Sequence, residues 1–395
     1  MSGETRPRWL SVPMRILFAN SGIMGHKTVH RLISDLVPSI PGIQSTTVDL
    51  SESLTLSDRL LRRVMCFHPA STNWDLARWR MECFTGWHMR RVLRRLETKH
   101  GPFEMLHLHP QALGYALLGR MRRTPTIISI DCTQQLALEE SNGQARWSYR
   151  PSFWHDNLVF RRARSIVSVS RWATGLLRSL SVDFASKTVT APYPIDVSRF
   201  PAAWVEERLN RSQSKTYKPV VLFVGGDFQR KGGDALLSLW RSENLGETAE
   251  LRLVTSPRTL PTELPRGVTV LTGLRPYEPD WFQCWREADI FALPTRAEAF
   301  GMVYQEAAAA GLPAVATSVC AVPELVLDGV TGILIPPGDQ SKLKQTLATL
   351  VDQATLRAQM GTAARKHMER LCGLDVYRER LVEALQRARP GFQQD

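Results

Sequence analysis

The sequence of 395 residues lacks any long apolar run, because its apolar stretches are repeatedly broken by glycine and proline. Such stretches are too short to cross a bilayer as a helix. Residues 1–20 contain no apolar segment followed by a small-residue cleavage site, so we expect no signal peptide and a cytoplasmic chain. The six cysteines are widely spaced and include no Cys-x-x-Cys pair, which predicts reduced thiols and no zinc site.

Two common phosphate-binding signatures are also missing. No Gly-Lys-Ser or Gly-Lys-Thr triplet ends a glycine-rich loop, and no Gly-x-Gly-x-x-Gly follows a predicted strand. Their absence argues against a P-loop NTPase and against a dehydrogenase. The sequence shows no recognised nucleic-acid-binding module either, so we expect no nucleic-acid partner.

The excess of positive charge lies entirely in the first half of the chain. Residues 1–200 hold 27 Lys and Arg against 15 Asp and Glu, whereas residues 201–395 hold 23 of each. This asymmetry predicts two halves with different partners. It favours an anionic partner for the first half, such as a membrane surface, an acidic acceptor or nucleic acid.

Short apolar runs of strand length alternate with segments of helical periodicity along both halves. This alternation predicts an α/β fold with two Rossmann-like, doubly wound parallel-sheet domains that face a central cleft. We expect the first domain at residues 1–200, the second at residues 201–375 and a C-terminal helix within residues 376–395. In the first domain a helix is predicted at residues 112–121.

A glycine-rich basic loop follows the first strand of the second half. Gly225 and Gly226 come directly after the strand at residues 219–224, and Arg230 and Lys231 precede the next helix. Glycines let the backbone approach a ligand closely, and a helix N-terminus supplies unpaired N–H groups. A charge-assisted hydrogen bond contributes about 1.5–3 kcal/mol, and a helix end roughly 0.3–1 kcal/mol, so the two cations should dominate diphosphate binding. The alternative is a glycine-rich turn with two solvated basic residues.

Two glutamates flank the start of a helix predicted at residues 302–310. Glu298 precedes this helix, and Glu306 lies on it just over a turn past Gly301, roughly 7–8 Å along the axis. Retaining glycosidases need two carboxyls about 5–5.5 Å apart, and this spacing does not predict such a pair. It fits two acceptors that hold hydroxyls on either side of an anion at the helix end. The alternative is a pair of glutamates that complement the helix dipole on a solvated surface.

Together these segments resemble the donor domain of the GT-B retaining glycosyltransferases of family 4, the glycosyl transferases group 1. The Glu-x7-Glu signature stands at residues 298–306. Further motifs similar to those of the family lie in order at residues 310–317, 322–326, 328–332 and 336–339, and upstream at residues 169–173 and 192–196. The resemblance covers residues 166–369. It implies the GT-B fold, with the C-terminal helix crossing back onto the first domain.

The resemblance also implies an activity. A hexose would pass from a nucleoside-diphosphate sugar, a UDP- or GDP-sugar, to an acceptor hydroxyl, with retention at the anomeric carbon and with no metal or other cofactor. By position, Glu298 would hold the sugar hydroxyls, Glu306 the ribose and Lys231 the diphosphate. The other implied donor contacts are Gly225, Gly226, Leu274, Phe300, Gly301, Met302 and Val303.

Two positions depart from the family pattern. The family often has an arginine where Gly226 stands, and Arg230 is the available substitute as a second catalytic cation. The family also often has a histidine where Asp131 stands, after the strand at residues 126–130. Asp131 either orients a hydroxyl of the acceptor or donor, which would make it catalytic, or caps a turn.

The first domain is expected to bind the acceptor, which could be a glycan, a lipid-linked molecule or a small molecule. Gly22 and Gly25 lie in its first strand-to-helix turn, and His109 ends another strand, which makes all three candidates on the acceptor side. A lone histidine after a strand is more often structural.

The helix predicted at residues 78–99 interleaves arginines with aromatic and aliphatic residues. Its apolar stripe either rests on anionic headgroups at the inner face of the membrane or packs on the first domain with the arginines in water. Peripheral membrane association is therefore one of two interpretations of this helix.

Two other functions stay open. A GT-B-like nucleotide-sugar epimerase or phosphorylase would turn over the sugar substrate without a separate acceptor. A basic nucleic-acid-binding protein is the less favoured alternative.

Overall fold

The computed structural model describes residues 13–22, 25–67, 76–140, 146–243, 245–256, 260–261 and 263–391. Residues 1–12, which carry part of the expectation of no signal peptide, lie outside the described residues. The chain forms two compact units. The first unit comprises Met1–Pro194 and Leu374–Asp395, and the second comprises Ile195–Gly373.

The first unit is built on a six-stranded parallel sheet. The strand order is β2-β1-β3-β4-β5-β6, so the chain runs outward from β1 in both directions. Every residue of β3 and β4 is buried, as expected of parallel strands that are covered on both faces. The strands are β1 (Met14–Asn20), β2 (Ile43–Asp49), β3 (Met105–His109), β4 (Thr126–Ile130), β5 (Ser165–Ser168) and β6 (Thr188–Thr190).

Helices of the first unit connect these strands. They are α1 (His26–Leu36), α2 (Leu56–Met65), α3 (Ala77–His100), α4 (Leu118–Met121), α5 (Gln134–Glu140), α6 (Arg146–Arg162), α7 (Arg171–Leu180) and α8 (Val182–Ser186). The continuous helix predicted at residues 112–121 is wrong, because the structure has a 3₁₀ turn at Gln111–Gly114 followed by the short α4. Glycines weaken a helix in this segment. At Gly114 the backbone lies so close to α6 that an added Cβ would be 2.9 Å from the Val159 Cγ1.

The second unit repeats the architecture with the strand order β12-β11-β10-β7-β8-β9. Its first strand, β7, is central, and the chain order reverses between β7 and β10. The described strands are β7 (Val220–Val224), β8 (Glu250–Val254), β9 (Val268–Leu271), β10 (Ile290–Leu293), β11 (Ala314–Thr317) and β12 (Gly332–Ile335). The prediction of two doubly wound parallel-sheet units is confirmed.

Helices of the second unit are α9 (Trp204–Arg211), α10 (Gly233–Ser242), α11 (Pro279–Glu287), α12 (Met302–Ala309), α13 (Val322–Leu325), α14 (Gln340–Asp352) and α15 (Ala354–Cys372). A buried arginine on α9 ties two of them together. Arg208 donates from Nη2 to the carbonyl of Trp285 and from Nη1 to the carbonyl of Ala310, each over 2.8 Å. These carbonyls lie at the C-terminal ends of α11 and α12, where a cation is favourable.

The last helix, α16 (Leu374–Ala388), returns to the first unit and packs against β4, β5 and β6. Its buried residues recur at helical spacing and form one apolar face: Tyr377, Leu381, Ala384, Leu385 and Ala388. In the part of the chain that the structure describes, no helix combines the length and apolar character that a bilayer crossing requires.

Candidate active site

The two predicted donor motifs follow neighbouring strands of the second sheet. β7 pairs in parallel with β10, and the strand order reverses at this pair. The first loop (residues 225–232) leaves the carboxyl end of β7, and the second loop (residues 294–301) leaves the carboxyl end of β10. Ligands of open α/β sheets bind outside the carboxyl ends of the strands at such a reversal.

Hydrogen bonds fix the two loops side by side. The backbone N–H of Arg296 donates to the carbonyl of Arg230 over 2.8 Å, and the Thr295 hydroxyl donates to the same carbonyl over 3.2 Å. The Arg230 guanidinium donates from Nη1 to the carbonyl of Ala297 over 2.7 Å. The relative position of the loops is therefore set by the protein itself.

Lys231 on the first loop and Glu298 on the second form an ion pair between Nζ and Oε2. The two side chains are only 14% and 13% exposed, so solvent screens the pair weakly. The cation that the sequence assigned to the diphosphate and the carboxylate that it assigned to the sugar thus meet at one point. The assignments themselves stay predictions.

Arg230, the predicted second cation, contacts protein oxygens in this structure. Its Nε lies 3.1 Å from the Asp227 Oδ2, in addition to the Nη1 bond to the second loop. Arg230 therefore braces the loops here, and its role as a diphosphate ligand stays a prediction. Gly226 is exposed, and a Cβ at this position would meet no heavy atom within 4 Å, whereas one at the buried Gly225 would lie 3.1 Å from the Lys231 Cγ.

Glycines in left-handed conformations start the helix that follows each loop. Gly232 precedes α10 with a φ of +80°, and a Cβ there would lie 2.1 Å from the Pro294 carbonyl oxygen. Gly301 precedes α12 with a φ of +91°, and a Cβ there would lie 2.6 Å from the Tyr304 ring and 3.0 Å from the Glu298 Cγ. Gly301 and Lys231 therefore both lie against Glu298.

The N-terminus of α12 follows directly. The first N–H groups of a helix have no partner within the helix, and they carry partial positive charge. Met302 and Val303 are half-buried at this end, and Phe300 before them is buried. Helix α12 thus begins at Met302, directly after the second loop. The contacts of these main-chain groups with a diphosphate and sugar stay predictions.

Glu306 is buried on α12 rather than exposed on a solvated face. Burial raises the pKa of its carboxyl to about 8, although a hydrogen bond from Tyr277 opposes the shift. Tyr277 was not identified from the sequence. It has a φ of +68°, unusual for a non-glycine residue, and the Arg199 guanidinium lies 5.1 Å from its ring centre.

The segment that carries Tyr277 also contains the predicted base contact. Gly273 has a φ of +76°, and Leu274 after it is half-buried. This segment joins β9 to α11, so main chain near Leu274 and the carboxyl of Glu306 are linked through Tyr277. The role of Leu274 stays a prediction.

The predicted residues of the first unit lie at the carboxyl ends of three adjacent strands. Gly22 follows β1, His109 ends β3 and Asp131 follows β4. Gly22 has a φ of +68°, and a Cβ there would lie 1.9 Å from the Asp49 Oδ1. Gly25 immediately precedes α1.

His26, the first residue of α1, links this group and was not identified from the sequence. Its Nε2 lies 3.5 Å from the Asp131 Oδ2, its Nδ1 lies 3.1 Å from the Ser21 hydroxyl, and its ring centre lies 4.3 Å from that of His109. Burial would raise the pKa of Asp131, but the hydrogen bond and charge of His26 hold it well below its usual range. The structure therefore supports an ionised Asp131 with a histidine partner.

His109 is neutral and doubly hydrogen-bonded. Burial lowers its pKa to about 3. Its Nδ1 lies 3.0 Å from the carbonyl of Ser129, which can only accept, so Nδ1 carries the proton. Its Nε2 then accepts from the Tyr193 hydroxyl, also over 3.0 Å. These bonds give His109 a positioning role within the first unit.

The comparisons with known proteins agree with this geometry. Residues 218–353 match the family model described as "Glycosyl transferases group 1", and they include both loops and α12. The chain is 32% identical over 212 residues to a GDP-mannose-dependent monoacylated alpha-(1-6)-phosphatidylinositol monomannoside mannosyltransferase of Corynebacterium glutamicum. That alignment covers 49% of this chain and 55% of the relative, so the chain matches about half the length of this curated protein.

Solved structures match over nearly the whole chain. Sucrose-phosphate synthase from Thermosynechococcus elongatus superposes with a TM-score of 0.71 at 16% identity, covering 94% of this chain and 98% of that one. HepE of Anabaena in complex with UDP-glucose superposes with a TM-score of 0.62 at 20% identity, covering 94% and 99%. The GT-B fold that the sequence motifs implied is therefore confirmed.

Metal ligation was not expected from the sequence. Within the described ranges, no cluster of three or more His, Cys, Asp or Glu side chains is arranged to hold an ion.

Proposed function

We propose that the protein is a retaining glycosyltransferase that uses a nucleoside-diphosphate sugar, a proposal supported by the match of residues 218–353 to the family model of the glycosyl transferases group 1. The observation that carries this proposal is the meeting of Lys231, Glu298 and Gly301 where two adjacent strands end. One cation, one carboxylate and one helix N-terminus are thereby brought together, which is what an anionic, hydroxyl-rich donor needs.

In this proposal the donor spans the two loops and α12. Lys231 and the first N–H groups of α12 bind the diphosphate, with Arg230 as a second cation. Glu298 accepts hydrogen bonds from the sugar hydroxyls and Glu306 from the ribose hydroxyls, while main chain near Leu274 contacts the base. The structure of HepE in complex with UDP-glucose supports a donor of this class.

The ion pair between Lys231 and Glu298 then has a function in the absence of donor. It holds the Lys231 ammonium beside the position of the incoming phosphate, where it is largely shielded from water. Arrival of the diphosphate gives Lys231 a second anionic partner and leaves Glu298 oxygens able to accept from sugar hydroxyls. Preorganised charge of this kind stabilises charge that develops in a transition state without reorganisation.

The reaction proposed for this site is a front-face substitution. The bond between the anomeric carbon and the diphosphate oxygen breaks, the acceptor oxygen bonds to the same carbon on the same face, and the acceptor proton passes to a phosphate oxygen of the leaving group. Within the second unit Glu298 is paired with Lys231 and Glu306 is buried beside Tyr277. Their contacts support roles in binding rather than covalent attack.

We also propose that transfer needs no metal, since Lys231, Arg230 and the N-terminus of α12 supply positive charge for the leaving diphosphate. A transfer assay with and without a chelator tests this point. Undiminished transfer is expected, and a loss that added divalent cation restores would contradict it.

The first unit is proposed to bind the acceptor, a glycan, a lipid-linked molecule or a small molecule. Asp131 with its His26 partner would orient a hydroxyl there, and His109, Gly22 and Gly25 would shape the surroundings. We further propose that the protein works in the cytoplasm, at the inner face of the membrane, because residues 1–200 carry the entire positive excess.

The donor class can be identified by thermal unfolding with UDP, GDP, ADP and their sugars. A nucleotide at a hundred times its Kd stabilises the protein by about 2.7 kcal/mol, which raises the Tm by roughly 5–10 °C for a unit of this size. One nucleotide series should do so. Absence of any shift across the panel would contradict the proposal.

Two lysine variants make the test specific to the site. Lys231→Ala should abolish the nucleotide-induced shift. Lys344→Ala is the matched control, because Lys344 is also ion-paired, to Glu243, on an exposed surface of the same unit. Product analysis separates the alternatives: turnover of the nucleotide sugar without a separate acceptor would indicate an epimerase or phosphorylase.

A further inference from the structure

Helix α2 of the first unit has its one acidic residue on the buried side and its apolar residues on the exposed side. Asp58 is buried, at 1% exposed. Leu56, Leu60 and Val64 recur at a spacing of four residues and are 83%, 67% and 70% exposed. Residues four apart lie on one face of a helix, so these side chains form an apolar face that points away from the protein. Phe67, just past the helix, is also exposed.

Polar contacts on the buried side fix this orientation. The Thr55 hydroxyl accepts from the backbone N–H of Asp58, and the Asp58 carboxylate accepts from the backbone N–H of Thr55, which together form a capping box. The same carboxylate forms an ion pair with Arg91 on α3, and His88 on α3 lies 3.9 Å away. Rotating α2 to hide its apolar face would break these contacts. The outward apolar face is therefore a stable feature of the fold.

Arginines border the apolar face on the same helix. Arg59, Arg62 and Arg63 are all exposed. Arg80 on α3 donates to the carbonyls of Met65 and Phe67 over 2.7 and 3.0 Å, which attaches the end of α2 to α3. An exposed row of aliphatic side chains flanked by guanidinium groups is complementary to a lipid surface with anionic headgroups.

Membrane association was one of two interpretations of the helix that the structure shows as α3, and the contacts of α3 support the other one. Met89, Val92 and Leu93 of the α3 stripe are buried in the core of the first unit. The stripe is used for packing, which was the other interpretation of that helix. Helix α2 instead carries an exposed apolar row.

We propose that α2 docks the protein on an anionic lipid surface, with Leu56, Leu60 and Val64 inserted at the level of the headgroups and its arginines against lipid phosphates. This proposal rests on the membrane association that is part of the proposed function, and it assigns that association to α2. It involves neither of the donor loops.

Vesicle flotation of the full chain tests the proposal. We expect binding to vesicles of phosphatidylcholine with anionic phosphatidylglycerol, weaker binding at high salt, and little binding to phosphatidylcholine alone. The double variant Leu60→Ser/Val64→Ser should lower partitioning at least tenfold. Val182→Ser is the matched control, because Val182 lies on α8 of the same unit, away from α2, and is 73% exposed. This variant should bind vesicles like wild type. Circular dichroism confirms folding.

Several outcomes would overturn the proposal. The proposal is wrong if the wild-type protein does not bind anionic vesicles. It is also wrong if the Leu60→Ser/Val64→Ser variant binds them as well as wild type does. If wild type instead forms a dimer that this variant dissociates, the face is an interface between copies of the chain. Nucleotide-induced stabilisation, measured on the same samples, reports on the donor site independently. If no nucleotide stabilises the wild-type protein, that result contradicts the proposed function but not the membrane docking of α2.

Discussion

The buried carboxyl of Glu306 should make the stability of the protein depend on pH in a way that a glutamine cannot reproduce. Burial raises its pKa from 4.5 to about 8. Between these values the folded chain keeps a proton that the unfolded chain has released, so the free energy of unfolding falls as the pH rises. The slope is about 1.4 kcal/mol per pH unit. It disappears above about pH 8, where the carboxyl is ionised in both states.

Glu306→Gln removes the titrating group and keeps an oxygen that can accept from the Tyr277 hydroxyl. Between about pH 5.5 and about pH 7.5, wild type should lose about 2.7 kcal/mol relative to this variant. Urea unfolding of the nucleotide-free protein, followed by tryptophan fluorescence at several pH values, measures this difference. All other titrating groups are shared, so their contributions cancel.

The control for this experiment is Glu206→Gln, a change at an exposed position on α9 of the same unit. Its free energy of unfolding should follow that of wild type across the range. If the curves for Glu306→Gln and wild type also stay parallel, the carboxyl is already ionised in the folded protein and the reasoning fails.

Three further predictions concern the donor unit. Lys231→Ala should lower the transfer rate by about 10²–10³ in a turnover assay, while circular dichroism shows an unchanged fold. Lys231→Arg should retain part of the rate. Normal turnover in the alanine variant would refute the assignment of Lys231. Gly301→Ala should destabilise the protein by about 1–3 kcal/mol in urea and weaken nucleotide binding, because of its φ and the clash with α12. Gly226→Ala is its control, since open space surrounds that position and no loss of stability is expected. Arg208→Met should lose the three hydrogen bonds that the guanidinium donates to carbonyls, at about 1.5–3 kcal/mol for each of the two 2.8 Å bonds. A free energy of unfolding in urea equal to that of wild type would refute this role.

The sheets were predictable because their strands are buried on both faces. β4 occupies the predicted residues 126–130 without any shift. β7 begins one residue after the start of the strand predicted at residues 219–224, since a continuous apolar run bounded by loops leaves little choice of strand ends. β2 was not predicted, because its residues are mostly half-buried and it lacks such a run. The helix at residues 112–121 was overpredicted, since apolar content outweighed the two glycines within it.

The family resemblance implied that both donor loops contact one donor, and the structure places the two loops side by side. The partners of the predicted residues did not follow. His26 and Tyr277 are separated in sequence from Asp131 and Glu306, and only the folded chain brings them together. The available signals were weak: a histidine directly after the glycine turn of β1, and a tyrosine close behind the predicted base contact.

The outward face of α2 was visible in the sequence as an aliphatic residue at every fourth position. Periodicity identifies an apolar face but not whether that face is inward or outward. Here the contacts of Asp58 with α3 determine which face of α2 is buried, and those contacts depend on the tertiary structure.

The position of α16 determines the order in which the chain can finish folding during its synthesis. The chain enters the second unit after Pro194 and leaves it at Leu374, so the helix that covers β4, β5 and β6 emerges from the ribosome only after the whole second unit. The second unit can therefore fold on the nascent chain before α16 is made, whereas the first unit, although its strands are translated earlier, is complete only once α16 has been translated. A stop codon introduced after Gly373 would therefore destabilise the first unit and leave all residues of the second unit in place.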